Sequence, residues 1–520
     1  MSAIQPKEDR NLQSIAMTDD TDGVNDDDKM SDVDGQRQSE SCEQRKSGKP
    51  QQFEGTDTLT TSNTIADCDP QKSKLTKIRK NKSIKVSLIH SSSYTKVLYR
   101  AMEFIHQDRD ILLAALLDYC GFLRKTPSFL SIVPPQMASR RHLESFHSSH
   151  YLDLLEFPIP GREHEPPPNL PLHLLDRFGL TDDCPLPEGR TERTALWNYL
   201  RHVAGASLQA AHLLTSNTSN VAIHWGGGRH HAHASHAGGF CYINDAVLAL
   251  EHLVTQYSSV LYLDIDIHHA DGVQRAFYDT DKVLVVSMHR RAPGFFPCGG
   301  SIGEKGIGEG VGYTVNLPMP QGCKDSDFVQ MVQYTLVELV GTYNPEAVLL
   351  CVGADGLHGD PLVGPIDGWN LTPEGLAECV RLTAQSCNGR KLLVLGAGGY
   401  NAARTARTYV LSTAAACEGA RPGMLWDELP KDIPRHDYFP RYGPDFSLVG
   451  DRPVLEENSR SGEYGQTLTE ARETIDLAVV YIKSQKEKEN PSSYPSSWSD
   501  MSSNGGVTTK GRRGRRRKRM

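Results

Sequence analysis

Val260-Leu261-Tyr262-Leu263-Asp264-Ile265-Asp266-Ile267-His268-His269-Ala270-Asp271 begins as an apolar run of strand length and ends in acids and imidazoles. Its first half is apolar at consecutive positions, the pattern of a parallel strand covered on both faces. Asp264, Asp266 and His268 are spaced by two, so an extended chain projects them to one side. Ionised carboxylates in an apolar sheet cost several kcal/mol each unless a cation or strong donors compensate them. A bound metal would do so. An acid and histidine hydrogen-bond network that orders a loop is the alternative, and for an isolated Asp-x-His it is preferred.

Similar short runs flank this one at Val221 to Trp225, Val283 to Ser287, Ala347 to Val352 and Leu392 to Leu395. Helical periodicity falls around them at Thr194 to Leu214, Asp245 to Gln256, Asp325 to Tyr343, Pro373 to Ser386, Ala402 to Cys417 and Glu470 to Lys486. The alternation predicts an α/β fold with a mainly parallel sheet and helices on both faces. Residues 1–83 and 488–520 are polar and are expected to be disordered, leaving one folded domain over 84–487. The eleven cysteines include no C-x-x-C pair, which argues against a disulfide framework or thiolate zinc site. No apolar run approaches the ~18 residues of a membrane span, so no membrane role is expected.

Polar clusters follow three of the other strands. Gly353-Ala354-Asp355 places a second acid at a strand's C-terminal edge, where open α/β sheets bind ligands. Asp266, His268 and Asp355 would give one nitrogen and two carboxylates with a position left for water, as catalytic zinc requires. Trp225-Gly226-Gly227-Gly228-Arg229-His230-His231 offers a histidine pair, which alone reads as a surface pair. Gly396-Ala397-Gly398-Gly399-Tyr400 offers a phenol on a glycine-rich turn, which alone could be a phosphate loop or tight turn. Together they form an inventory for metal-assisted amide hydrolysis.

These clusters, with Gly238-Gly239-Phe240-Cys241-Tyr242-Ile243-Asn244-Asp245, Pro293-Gly294-Phe295-Phe296-Pro297 and the run from Gly353 to Asp360, resemble the ordered motif series of class I histone deacetylases. The resemblance spans about Val86 to Leu448. It implies the arginase/deacetylase-like fold, with the active site at the C-terminal strand edge, and a zinc-dependent hydrolysis of N6-acetyl-lysine on histones or other proteins. By resemblance, Asp266, His268 and Asp355 hold Zn2+, or Fe2+. His231 is the general base and later acid, oriented by Asp271, and His230 pairs with Asp264. Tyr400 donates to the oxyanion. Phe240 and Phe296 flank the lysine stem, Gly239 receives the amide N–H, Leu362 lines the rim and Asp183 grips the substrate backbone. Arg109 resembles an inner-cavity arginine, whereas Phe295 is expected to be an ordinary core aromatic. Potassium is implied at Asp264, Asp266, His268, Ser287 and Met288, and again at Phe277, Thr280, Val283 and Tyr313.

Several positions depart from the family pattern. Arg229 stands where an apolar residue is usual, and His233 and His236 add imidazoles; all three are expected to alter rim selectivity. Ala270 and Ala397 replace glycines, and 364–369 reads as an insertion beside the rim. Pro361 and Ala403 stand where corepressor-assembled members carry arginines for an inositol phosphate. The pattern is closest to the histone deacetylase 8 branch, implying activity without a corepressor. Gly511 to Arg519 is a basic run read as a nuclear import signal, with nucleic-acid contact as the alternative and Lys72 to Lys82 as a second candidate. A nuclear enzyme acting on chromatin, with a further cytoplasmic pool, is the expectation. An acetylpolyamine amidohydrolase and a silent acetyl-lysine-binding scaffold are the rivals; an arginase-like enzyme would need a second metal set.

Overall fold

The computed structural model describes residues 84–106, 108–363, 368–420, 422, 428–450 and 462–489. The extension 1–83 and the basic run Gly511 to Arg519 lie outside the described residues, as do positions 364–367 of the expected insertion. Eight strands form one sheet in the order β2-β1-β3-β8-β7-β4-β5-β6. They are β1 Val86–Ile89, β2 Leu130–Val133, β3 Val221–His224, β4 Val260–Asp264, β5 Val283–Arg290, β6 Thr314–Met319, β7 Ala347–Val352 and β8 Lys391–Gly396. Every pairing is parallel, so the mainly parallel sheet expected from the apolar runs is wholly parallel.

Side-chain alternation along the strands builds two cores. Leu261, Leu263, Val348, Leu350 and Val394 face one core, with helices Arg109–Tyr119, Pro373–Cys387, Ala402–Ala420 and Gly462–Glu489 packed over it. Val260, Tyr262, Leu349, Cys351 and Leu393 face the other, beneath helices Arg190–Thr215 and Asp245–Val254. The stretch expected as one helix from Asp325 to Tyr343 is α-helical to Thr335, widens into a π-helical turn over Leu336–Val340, and closes at Tyr343. The terminal helix starts at Gly462, ahead of the expected Glu470.

Strand β4 stops at Asp264, so the extended path expected to align Asp264, Asp266 and His268 ends before the second acid. The chain bends there because the Asp264 carboxylate accepts the Asp266 N–H at 2.9 Å, and the Asp266 carboxylate accepts the His268 N–H at 2.8 Å. Each acid thus holds the residue two positions on.

Three buried histidines away from this bend are part of the fold's framework. His224 sits between the Tyr94 hydroxyl at 2.6 Å and the Ser207 hydroxyl at 2.8 Å. His147 accepts the Asn244 N–H at 3.0 Å, and His289 donates to the Gly300 carbonyl at 2.9 Å. Burial lowers the pKa of His147 to about 4 and of His224 and His289 to about 3, so all three fold as neutral imidazoles. The unfolded chain protonates them near 6.5. Their stabilisation is therefore complete above that pH and is lost as pH falls towards 4, at about 4 kcal/mol per pH unit for the three. Thermal unfolding followed by circular dichroism should show Tm dropping steeply from pH 6.5 to 5; a flat Tm across that interval would contradict this assignment.

Candidate active site

The four polar clusters lie at the C-terminal ends of β3, β8, β7 and β4, which are consecutive neighbours in the sheet. Strand pairing sets Val352 beside Gly396 and Asp264 beside Cys351, so the loops that follow emerge together. Asp266, His268 and Asp355 converge there, their nearest donor atoms all within 4.8 Å of one another. His268 Nδ1 lies 3.1 Å from Asp266 Oδ1 and 3.0 Å from Asp355 Oδ2. The second Asp266 oxygen accepts the Gly398 N–H at 2.9 Å, and the second Asp355 oxygen accepts the Ile267 N–H at 3.3 Å. Gly398 must be glycine, because a Cβ would stand 2.1 Å from Asp355 Oδ2.

This donor set fits a divalent ion. Bonds of about 2.0–2.1 Å in a tetrahedral site separate neighbouring ligand atoms by about 3.3 Å, close to the spacings found. Burial, and then the charge on Asp266, push Asp355 up to about 7, so the two acids cannot both stay ionised cheaply without a cation. Burial opposes a charge on His268, yet its bonds to Asp266 and Asp355 raise it to about 10. A proton on Nδ1 there occupies the place a metal would take. The other convergent group, His230, Asp264 and Cys351, is already satisfied internally. Asp264 accepts from His230 at 2.8 Å and from the Tyr262 hydroxyl, and burial drives the Cys351 thiol far above its ordinary range.

The histidine pair is split by its surroundings. Burial disfavours a charge on His230, but Asp264 and Asp266 outweigh it and raise the ring to about 9. His231, whose ring centroid is 4.0 Å away, is lowered to about 4 by burial and by the charge on His230. Its Nδ1 donates to Asp271 at 2.7 Å. Burial works against the Asp271 charge, but hydrogen bonds from His231 and His233 hold it well below the usual carboxylate range.

A channel leads outward between Phe240, Phe296, Gly239, Leu362 and Tyr400, with Asp183 at its side. Phe296 and Leu362 are exposed at its mouth. Phe240 stands edge-on to Tyr400 at 5.8 Å and Phe296 edge-on to His231 at 4.9 Å. Asp183 Oδ2 accepts the Gly239 N–H at 2.7 Å, fixing a residue whose φ of +55° and contact with the His231 ring exclude a side chain. Burial and the charges of Asp355 and Asp266 keep the Tyr400 phenol protonated well above its ordinary range. Ser287 and Met288 follow on β5 beside Asp264, while Phe277, Thr280, Val283 and Tyr313 lie at the start of β5, where Tyr313 accepts the Val285 N–H at 2.8 Å.

Four expectations are revised. Arg229 is not at the rim: it is buried and lines the floor with the acids. His233 reaches inward to share Asp271 at 3.2 Å, leaving His236 exposed. Phe295 is more than a core aromatic, because it stacks on the His268 ring at 5.4 Å. Trp369, assigned to the insertion, is a core side chain packed on Phe328. Asp360 was given no role; it accepts the Tyr400 N–H at 2.8 Å and the Leu362 N–H at 3.0 Å, tying the phenol's turn to the rim. Arg109, at a helix start where solvation is usual, is 1% exposed. Ala270 and Ala397 do not have positive φ, so their methyl groups cause no backbone strain.

An α/β domain with a candidate carboxylate and histidine metal site at its sheet edge suits a metal-assisted hydrolase. The histone deacetylase domain family matches residues 103–416. Histone deacetylase 8 of Xenopus tropicalis is 36% identical over 69% of this chain and 89% of its own length. Histone deacetylase 8 of Danio rerio is 38% identical over 66% and 82%, and histone deacetylase 6 of Arabidopsis thaliana 38% over 63% and 64%. The chain belongs to the histone deacetylase family, as a class I, histone deacetylase 8-like member, and is a hydrolytic lysine deacetylase.

If the Asp266, His268 and Asp355 cluster is the metal site, Asp355→Asn should weaken zinc retention at least as much as the ~10–100-fold that loss of an outer-shell partner costs. Metal content after dialysis, measured by atomic emission, should fall from about one ion per chain to a small fraction. Unchanged content in folded Asp355→Asn protein would place the ion elsewhere.

Proposed function

We propose that this enzyme is a zinc-dependent deacetylase of acetylated histone tails or other acetylated proteins, carried on one catalytic domain over 84–487, with Fe2+ as the alternative metal. The observation that carries the reading is the convergence of Asp266, His268 and Asp355 beside a neutral His231 and a protonated Tyr400. A divalent ion held by the three ligands would polarise the acetyl carbonyl and acidify the attacking water. His231, kept neutral by burial and by the His230 charge, takes the proton from that water, and Asp271 stabilises the imidazolium that results. The same proton then passes to the lysine nitrogen as the amide bond breaks. Tyr400 donates to the oxygen that gains charge, and His230, paired with Asp264, holds a positive field behind the reacting centre.

Apolar walls at Phe240 and Phe296 suit the uncharged acetyl-lysine stem better than a free ammonium. Asp183 is the one carboxylate among the channel's described lining residues, which supports a peptide substrate over a polyamine. Potassium is proposed at the two carbonyl-rich sets around β5. Activity without a corepressor is supported by Pro361 and Ala403, neither of which offers a cation for an inositol phosphate. Gly511 to Arg519 is proposed to direct nuclear import, with a cytoplasmic pool, a role in transcriptional repression following from histone substrates; contact of this run with nucleic acid is the alternative. Among the described residues no helix is long and apolar enough to cross a membrane.

The decisive experiment is acetate release from an acetyl-lysine peptide by the purified full chain, with and without added zinc. Zinc-dependent turnover is expected without a partner, abolished in Asp266→Ala. Tyr400→Phe should lower kcat about 100–1,000-fold, the loss typical of one oxyanion donor, with KM changed far less. A folded, zinc-loaded chain that releases no acetate, or a Tyr400→Phe variant with full kcat, would refute the mechanism.

A further inference from the structure

His231 is oriented by a carboxylate that has two imidazole partners. Asp271 Oδ1 accepts the His231 Nδ1–H at 2.7 Å, and Oδ2 accepts the His233 Nε2–H at 3.2 Å. Among the described residues no other side chain bonds to either oxygen. Side-chain exposure rises along this row of three groups, from 5% at His231 through 25% at Asp271 to 35% at His233, so the row runs from the reacting centre to the surface. The other titratable groups around it are His230 and His268 beside His231, His269 near Asp271, and His147 and His236 around His233.

The backbone brings both rings to one acid. Asn244 Nδ2 donates to the His230 and Ala232 carbonyls at 3.3 and 2.8 Å, and the His233 N–H donates to the His236 carbonyl at 2.9 Å. Asp271 opens the helix Asp271–Ala276, and the next residue, Gly272, lies directly against that segment: a Cβ there would stand 2.5 Å from the His230 carbonyl oxygen and 2.6 Å from that of Ala232. Held by His231 alone, a partly exposed carboxylate is free to turn about its Cβ–Cγ bond and exchange that partner for water. A donor on the second oxygen removes this freedom, in the way that supporting hydrogen bonds lock the groups next to a reacting centre.

We propose that His233 is a positioning residue for the reaction: by donating to the second oxygen of Asp271 it holds that carboxylate against rotation, and so keeps the His231 ring aimed for proton transfer. The inference rests on the reading of His231 as the general base. His233 acts through Asp271 and touches neither substrate nor metal ligand. Loss of its donor therefore slows proton acceptance by His231 and leaves untouched the channel walls, Phe240 and Phe296, that hold the lysine stem. The effect falls on kcat and spares KM.

The test uses the zinc-loaded full chain and an acetyl-lysine peptide, with His233→Phe, which keeps the bulk of the ring and loses the donor, and His233→Gln, whose amide N–H reaches about as far as the imidazole Nε2. In folded protein of unchanged zinc content, His233→Phe should lower kcat about tenfold, the low end of the loss for a supporting partner, with KM changed far less. His233→Gln should restore most of that kcat. In an Asp271→Ala background His233→Phe should cost nothing further, because the residue through which it acts is gone. Full kcat in His233→Phe, equal losses in the Phe and Gln variants, or the same loss with Asp271 absent overturns the inference and leaves the deacetylase reading intact. If wild type releases no acetate, that reading fails and proton NMR of the zinc-loaded chain decides the positioning role. A low-field signal of the His231 Nδ1–H, assigned by its loss in Asp271→Ala, that disappears in His233→Phe and persists in His233→Gln supports it; a signal absent from wild type or unchanged in His233→Phe overturns it.

Discussion

The requirement that Asp266 and Asp355 be held together away from water organises the structure around them. Asp266 is 1% and Asp355 0% exposed, on loops from adjacent strands whose register brings the two acids side by side. Their repulsion in a low-dielectric interior is severe, so the surrounding chain is arranged to support negative charge. The Gly398, Ile267 and His268 N–H groups point at the carboxylates. A glycine at 398 lets backbone approach where any side chain would collide. Burial keeps the two acids from water, and a divalent cation would complete the charge balance.

The same dry interior separates two histidines that are neighbours in sequence. His230 meets the fully buried Asp264 and lies near Asp266, and is held charged; His231 lies against that charge and is held neutral. Asp271 is partly accessible and divides its oxygens between His231 and His233. Proton acceptance by His231 is therefore favoured by Asp271 and opposed by burial and by His230.

Much of this arrangement was legible in the sequence because buried parallel strands read as unbroken apolar runs, and polar residues at their ends have to be explained. β3, β4, β5, β7 and β8 were visible that way, and the clusters after four of them hold the candidate metal ligands, the histidine pair and the phenol. β2 buries only Leu130, β1 is interrupted by the polar Ser87, and β6 contains Pro318, so none of the three stood out. Arg229 was misplaced for a different reason. A charged side chain in a glycine-rich loop reads as solvent-facing, and only the fold shows that Arg229 lines the recess with Asp266, His268 and Asp355. His233 and Asp360 were obscured likewise, since their partners are 38 and 40 residues distant.

Charge along the channel also explains how substrate and product differ in fit. The mouth holds Asp183, the walls are Phe240 and Phe296, and the centre and floor carry the ionised groups. An acylated lysine brings no charge to the walls, so its methylene stem is buried there without desolvating an ion. Hydrolysis creates an ammonium at the inner end of that apolar stretch, and the charge must cross it to leave. The walls thus hold the reactant and disfavour the lysine product. The lysine product is consequently driven outward into water.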